Sequence, residues 1–411
     1  MQSIDLRAFN QLFEAGDRVY VAGSSGEPQA LVTSLKPGCA LRFFQQPFGA
    51  VNTTDLSAIG QGSTLECYFM SPALADGYAK GRVRFVPMQW RALYNYLKEL
   101  QFDKVLLLAG YDHAGVLRFA HNVDFIDAVL ENARTVILEV SRGFNAPAGA
   151  PAVPTSMVDY CVESESPALT VASAKSDETA ERIADHVASL IQDGDCLQIG
   201  IGAIPSSIMA RLRDRNDLGF HGGLVDDGVM SLIENGNITG QRKTIDQGLH
   251  VTGAALGTER LIEWLSRTDT VCFRGGNYTH DAGVICQLDQ FVSINSAVQV
   301  DLQGQVNGEV VGDRQISGTG GSVDYMRSAK ISSGGRSIVA LPSTAKRGEI
   351  SRIVPRVEAV TALRSDVDYV VTEYGVANLR RASLWERADA LAEIAHPKFK
   401  EMLRDENLSN H

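Results

Sequence analysis

The stretch LGFHGGLVDDGV, residues 218–229, sets His221 ahead of a Gly222-Gly223 pair and Asp226-Asp227 after it. A histidine titrates near neutral pH and an aspartate can cap a turn or carry a proton, so the segment holds acid–base chemistry but no nucleophile. A second candidate is LQIGIGAIPSSIMARL (197–212), where an apolar run enters the Gly200-Ile201-Gly202 loop and a helix begins near Pro205. Free backbone N–H groups and the helix dipole at such a start suit a carbonyl oxygen or a phosphate. The loop lacks the third glycine of a dinucleotide fingerprint and has no ribose-binding acid at the usual offset, which lowers a nicotinamide reading.

A third candidate, GTGGSVDYMRSAKISSGGRSIVALPSTAKRG (318–348), packs three glycine clusters and several hydroxyls between apolar runs. Arg327, Lys330, Arg336, Lys346 and Arg347 supply cations in an otherwise acidic chain, so a long phosphate-bearing ligand fits here. Hairpin glycines with solvated charges are the plainer alternative. Asn295 closes the apolar run FVSIN, where its amide can hold a carbonyl oxygen or cap a turn. Glu373, Arg387 and His396 read as structural ion-pair or capping partners, and His113 as a turn histidine.

These segments need a scaffold. The runs DRVYVAG, RVRFVP, KVLLLAG and RTVILEV are short, β-branched or apolar, and closed by turn residues, as buried parallel strands are. PMQWRALYNYLKEL and VDFIDAVLENA carry apolar residues at three- and four-residue spacing, as crossover helices do. The fold class is α/β. Residues 142–160 hold three prolines and no period, so they predict a surface excursion. Beyond them a Ser176-Asp177 cap opens a helix with Ile183, Val187, Leu190 and Ile191 on one face. The boundary falls near there, giving an N-terminal domain over 1–178 and a C-terminal domain over 179–411.

Composition limits the function classes. The chain has 411 residues, 44% hydrophobic and 21% charged, which suits two globular cores. A net charge of -11 argues against nucleic acid and anionic membranes as partners. No apolar run approaches the roughly 20 residues of a membrane span. Six cysteines without a CxxC or paired histidine fit a reducing, cytoplasmic setting, and no metal site is implied.

Taken together, GSSGEP (23–28), DHAG (112–115), DGDCLQIGIGAIPSSI, DDGVMSLIENGNITG, SINSAVQVDLQGQVNGE, SGTGGSVDYMRSAKISSGG and VTEYGVANLR resemble the acetyl-CoA hydrolase/transferase family over nearly the full length. The resemblance implies two CoA-transferase-type α/β domains with mainly parallel sheets, an acyl-CoA substrate in the cleft between them, and a homodimer. It further implies that Gly200, Gly202, Gly320, Gly321, Ser322 and Lys346 bind the acyl-CoA, and that Asn295 and glycine amides supply oxyanion donors.

In that family a glutamate attacks the thioester, and the released thiolate returns to form a glutamyl-CoA that a second carboxylic acid resolves. The family string is roughly Leu-Gly-Ile-His-Ser-Glu-Met, with Asp-Gly-Val two residues on. Here His221, Asp227 and Gly228 match, while Gly223 stands at the glutamate position. A glycine forms no anhydride. Glu234 and Asp226 are the nearby acids, and turn capping is the better role for Asp226. The expected activity is therefore transfer of CoA or an acyl group by direct attack of a carboxylate, amine or alcohol acceptor in a ternary complex, with His221 as general base. Hydrolysis is the variant in which water is the acceptor, and a non-catalytic acyl-CoA binder is the competing class.

Overall fold

The computed structural model describes residues 1–409, and its contacts divide the chain into two compact units. One unit comprises Met1–Ser173 with Val251–Thr279, the other Ala174–His250 with His280–His411. A single cut after residue 178 leaves out the return of 251–279 to the first unit. That return is made by backbone: Val123 N–H donates to Gly253 O (2.9 Å) and Phe273 N–H to Gly149 O (3.1 Å).

In the first unit nine strands form one sheet, in the order Gln2–Ser3, Tyr160–Ser164, Val136–Ser141, Lys104–Tyr111, Arg18–Val21, Arg42–Gln45, Thr64–Cys67, Val83–Phe85, with Leu117–Phe119 beside Lys104–Tyr111. Every pairing is parallel except that last one. Val105, Leu106, Leu107 and Leu108 are buried because a central parallel strand has both faces covered, which is why the run reads as continuously apolar. Glu139 interrupts its own apolar strand yet is fully buried. Its carboxylate accepts from the amides of Ala30 (2.9 Å) and Leu31 (3.2 Å) and from Ser164 Oγ (2.7 Å), so the charge is hydrogen-bonded rather than stranded. The helix Trp90–Glu99 follows the predicted apolar spacing, burying Leu93, Tyr94 and Leu97.

The stretch 142–160 is less superficial than its prolines suggest. Ala146, Ala150 and Val153 are buried, and Gly149 lies so close to the 251–279 segment that a Cβ there would fall 1.8 Å from Val271 O. Backbone docking against a neighbouring segment carries no side-chain period, so the sequence gives no sign of it.

The second unit is built on a six-stranded sheet: Gly219–Phe220, Cys196–Ile199, Phe291–Ser296, Arg336–Ala340, Tyr369–Thr372, Gly375–Asn378. The first four pairings are parallel and the last antiparallel. Leu197 pairs with Val292, Ile294 with Ile338 and Val339 with Val370, so apolar side chains cover both faces of the sheet's centre. Asp177 caps the helix Glu178–Ala188 by accepting from Ala180 N–H (2.8 Å), and Ile183, Val187 and Ile191 are buried while Leu190 is half-buried. Asp195 and Arg336 form a buried ion pair that ties the starts of the two strands flanking Phe291–Ser296. Among the described residues no helix is long and apolar enough to cross a membrane, and no His, Cys, Asp and Glu group could hold a metal ion.

Candidate functional site

Parallel sheets place ligands beyond the carboxyl ends of their strands. In the second unit those ends carry most of the residues singled out by sequence. Gly200 follows the strand Cys196–Ile199, and Gly202, at φ 122°, caps the helix Ala203–Arg211. A Cβ on either glycine would meet nothing within 4 Å, so the loop amides border open space rather than packed side chains. Asn295 lies near the end of the adjacent strand. Its Nδ2 donates to Ser293 Oγ (2.8 Å) and Gln198 Oε1 (3.2 Å), while Ser293 Oγ donates to Gln198 Oε1 (3.0 Å). Gln198 and Ser293 were not suggested by sequence. Both point from one sheet face toward Asn295, and a lone polar residue inside a strand is the signal that could have found them.

The Gly222-Gly223 pair follows the edge strand Gly219–Phe220. A Cβ on Gly222 would lie 3.0 Å from the Phe220 ring and 3.7 Å from Gln198 Cγ, which sets the pair beside the Gln198–Asn295 network. A Cβ on Gly223 would lie 3.0 Å from both Cε1 and Nε2 of His280 and 3.2 Å from the Tyr325 hydroxyl. The volume beside residue 223 is thus bordered by an imidazole and a phenol. The same imidazole reaches Gly321, where a Cβ would fall 2.2 Å from Nε2. Gly320, at φ 56°, and Gly321 lead into the helix Ser322–Ile331, whose first turn turns its amides outward, as helix starts do. Ser322 Oγ donates back to Thr319 O (2.9 Å).

His221 is fully buried, with its amide donating to Leu197 O (3.0 Å) and its ring edge-on to Phe291 at 6.4 Å. It is His280, tilted at 45° against Tyr325 with ring centroids 4.5 Å apart, whose ring stands against Gly223. Burial holds the His280 imidazole well below its ordinary pKa, and His221 adds to the effect, so the ring is neutral at physiological pH. Asp226 caps the helix Asp227–Glu234 by accepting from Val229 N–H (3.0 Å). Burial pushes its carboxyl up to about 6, with Asp227 adding to the rise and backbone donors opposing it. Glu234 is exposed at the end of that helix. Lys346 is exposed, at φ 48°, on a tip between Thr344–Ala345 and Ile350–Ser351. The structure therefore brings Gly223, Gly321, His280 and Tyr325 together, sets Gln198, Ser293 and Asn295 beside Gly222, gives Asp226 a capping role, and leaves Glu234 at an exposed helix end and Lys346 on an exposed hairpin tip.

Elsewhere in the second unit Glu373 accepts from the Ser343 amide (2.8 Å) and hydroxyl (2.6 Å), and Arg387 donates to four backbone carbonyls, both structural tasks. In the first unit GSSGEP forms a tight polar corner. Gly23 sits where a Cβ would fall 1.8 Å from Gln46 O, Ser24 N–H donates to Asn52 Oδ1 (2.7 Å), and Glu27 accepts from Gln45 Nε2 (2.9 Å). Burial pushes the Glu27 carboxyl up to about 7, against hydrogen bonds from Gln45 and Asn52 that lower it. Asp112 of DHAG accepts from Ala114 and Val116 amides and pairs with Arg118, a turn anchor. His113 Nε2 is 2.9 Å from Ser266 Oγ.

Residues 257–407 match the acetyl-CoA hydrolase/transferase C-terminal domain. The chain is 36% identical over 409 residues to the 4-hydroxybutyrate coenzyme A transferase of Clostridium kluyveri, covering 96% of this chain and 94% of that one. It is 36% identical to the butyryl-CoA:acetate CoA-transferase of Anaerostipes caccae, covering 79% and 75%. Among solved structures, RipA from Yersinia pestis superposes with a TM-score of 0.92 at 31% identity over 100% of this chain and 98% of that one. The 4-hydroxybutyrate CoA-transferase of Porphyromonas gingivalis does so with a TM-score of 0.82 at 30% identity, over 100% and 98%. The two-unit α/β fold, the glycine loops at the strand ends and these likenesses agree: the chain belongs to the acetyl-CoA hydrolase/transferase family, as an enzyme of the CoA-transferase kind whose substrate is an acyl-CoA.

Proposed function

We propose that this enzyme moves the acyl group or CoA of an acyl-CoA without a glutamyl-CoA intermediate, by direct attack of an acceptor in a ternary complex. One observation carries the reading. Residue 223 has no side chain, and the atoms nearest the space its Cβ would enter are those of the His280 ring and the Tyr325 hydroxyl. The groups that polarise the thioester in this reading are the loop amides at Gly200 and Gly202, the first turn after Gly321, and the Asn295 amide. In this reading Gly200, Gly202, Gly320, Gly321 and Ser322 cradle the acyl-CoA, Lys346 meets its phosphates, and Asn295 holds the carbonyl oxygen. Oxyanion donors of this sort contribute about 3 to 4 kcal/mol to acyl transfer. Hydrolysis is the same step with water as acceptor, and an acetyl-CoA hydrolase of Candida glabrata is a relative at 32% identity over 51% of this chain. The reading includes a homodimer and a cytoplasmic location, the latter suited by six cysteines outside any disulfide.

The test is to incubate the protein with acetyl-, butyryl- and succinyl-CoA, with and without carboxylate, amine and alcohol acceptors, following free thiol and products by mass spectrometry. The expected result is product formation with no enzyme-bound CoA thioester. A covalent CoA adduct on Asp226 or Glu234 would refute the mechanism and leave the fold untouched.

A further inference from the structure

Glycine is demanded at a position either by a left-handed backbone or by a neighbour that leaves no room for a Cβ. At Gly223 and Gly321 the backbone makes no such demand: neither has a positive φ, and Gly321 sits at φ -93°, ψ -1°. At both, the atoms nearest a Cβ belong to the His280 ring, with Tyr325 next. A Cβ would fall 3.0 Å from His280 Nε2 at residue 223 and 2.2 Å from it at residue 321. Two segments 98 residues apart have thus given up their side chains around the same nitrogen. Both glycines are half-buried while His280 is only 4% exposed, so the Nε2 edge of the ring lies behind two bare backbones, where a ligand can approach more closely than past any other residue. The phenol of Tyr325 borders the same point, 3.2 Å from the Gly223 Cβ position.

We propose that His280 is the catalytic base of this enzyme, and that its acceptor is consequently one with a proton to lose: water, an alcohol or an amine, not a carboxylate. The inference rests on the direct-attack reading above. In the step, the acceptor's oxygen or nitrogen bonds to the thioester carbonyl carbon as its proton passes to His280 Nε2. The tetrahedral oxyanion then collapses, the C–S bond breaks, and the CoA thiolate takes that proton from the imidazolium and leaves as the thiol. A neutral imidazole is the competent form, and the burial of His280 keeps it neutral. A carboxylate acceptor has no proton to give up and would gain nothing from this group.

The test compares the full-length protein with His280→Asn and His280→Ala, using acetyl-, butyryl- and succinyl-CoA with water, ethanolamine or acetate as acceptor. CoA binding is measured by calorimetry and folding by circular dichroism. Thiol release with water or ethanolamine is expected from the wild type, together with a loss of at least about 100-fold in kcat in His280→Asn at a KM within threefold, and partial recovery of His280→Ala by added imidazole. The proposal is overturned if folded His280→Asn turns over like the wild type, if acetate alone accepts the acyl group or CoA, or if an acyl adduct forms on His280. Failure of every acyl-CoA to bind or react would instead remove the direct-attack reading itself, and calorimetry separates the two failures.

Discussion

Placing a glutamate at residue 223, where the proposed function has no nucleophile, tests whether a carboxylate there suffices for a glutamyl-CoA mechanism. The structure says that it does not. The first carbon of any side chain at 223 comes within 3.0 Å of two His280 ring atoms and 3.2 Å of the Tyr325 hydroxyl, closer than ordinary contacts, before the remaining methylene and carboxylate are placed. Overpacking of this order costs about 1 to 3 kcal/mol. A domain stable by about 5 to 15 kcal/mol survives that. Gly223→Glu should therefore fold, melt a few degrees lower, and hold its carboxylate away from the thioester. Gly223→Glu combined with His280→Ala removes the ring and relieves the conflict. At about 1.4 kcal/mol per factor of ten, relief of 1 to 3 kcal/mol corresponds to roughly five- to over a hundredfold more productive enzyme. The assay is borohydride reduction of the glutamyl-CoA thioester after mixing with acetyl-CoA, followed by peptide mass spectrometry. The double variant should show the adduct at residue 223 at least about fivefold above the single one. Equal adduct in the two would refute the reasoning, because His280 would then be no obstacle.

Three further outcomes follow from other contacts. Gly321→Ala, whose Cβ would fall 2.2 Å from His280 Nε2, should cut acyl-CoA turnover more than it lowers the thermal midpoint; a loss of stability with full turnover would separate that glycine from the reaction. Glu27, held up at about 7, is favoured in its protonated form by folding, so its contribution is fully present below the ordinary carboxylate range and disappears as pH rises through about 7. Glu27→Gln should consequently flatten the decline in stability between pH 5 and pH 8 measured by urea titration, and an unchanged slope would show that Glu27 is ionised throughout. Asp195→Ala leaves Arg336 charged and buried at the sheet's end, and about 3 to 5 kcal/mol should be lost in denaturant titration with the CoA affinity of the surviving folded protein unchanged.

How much of this was legible in the sequence depends on the range of the interaction concerned. The KVLLLAG and RTVILEV strands and the WRALYNYLKE helix are written in local apolar pattern, and they form where the pattern puts them. The strands Arg42–Gln45 and Thr64–Cys67 are four residues long, each with only two apolar residues among polar or charged ones, too few to set a period. The α/β class and the glycine loops at 200–202 and 320–321 follow from strand–Gly–helix grammar, which is also local. His280 was invisible for the opposite reason. It lies in a turn between two short helices, with nothing in THDAG to mark it, and it acquires meaning only by lodging between glycines 57 residues before it and 41 residues after it. His221 is close to Gly223 in sequence and its ring packs on Phe291, while the ring nearest the Gly223 Cβ position comes from elsewhere in the chain.

The arrangement also bears on how such a site could change chemistry without losing its fold. A carboxylate at 223 and an imidazole at 280 compete for one volume, so neither can be exchanged alone without strain or a void. The groups proposed to hold the thioester are backbone or lie on other elements: the amides after Gly200 and Gly321, and the Gln198–Ser293–Asn295 chain anchored on two paired strands. These do not depend on which group fills the notch. The side chain at 223 or 280 can therefore decide between a covalent route through a carboxylate and a base-assisted route with a protic acceptor, while the cradle stays the same. If that is the logic, Gly223→Glu with His280→Ala should keep the CoA affinity of the wild type within a few fold even as its acceptor preference moves from water to acetate, and a CoA affinity that fell in step with hydrolysis would show that the notch and the cradle are one unit.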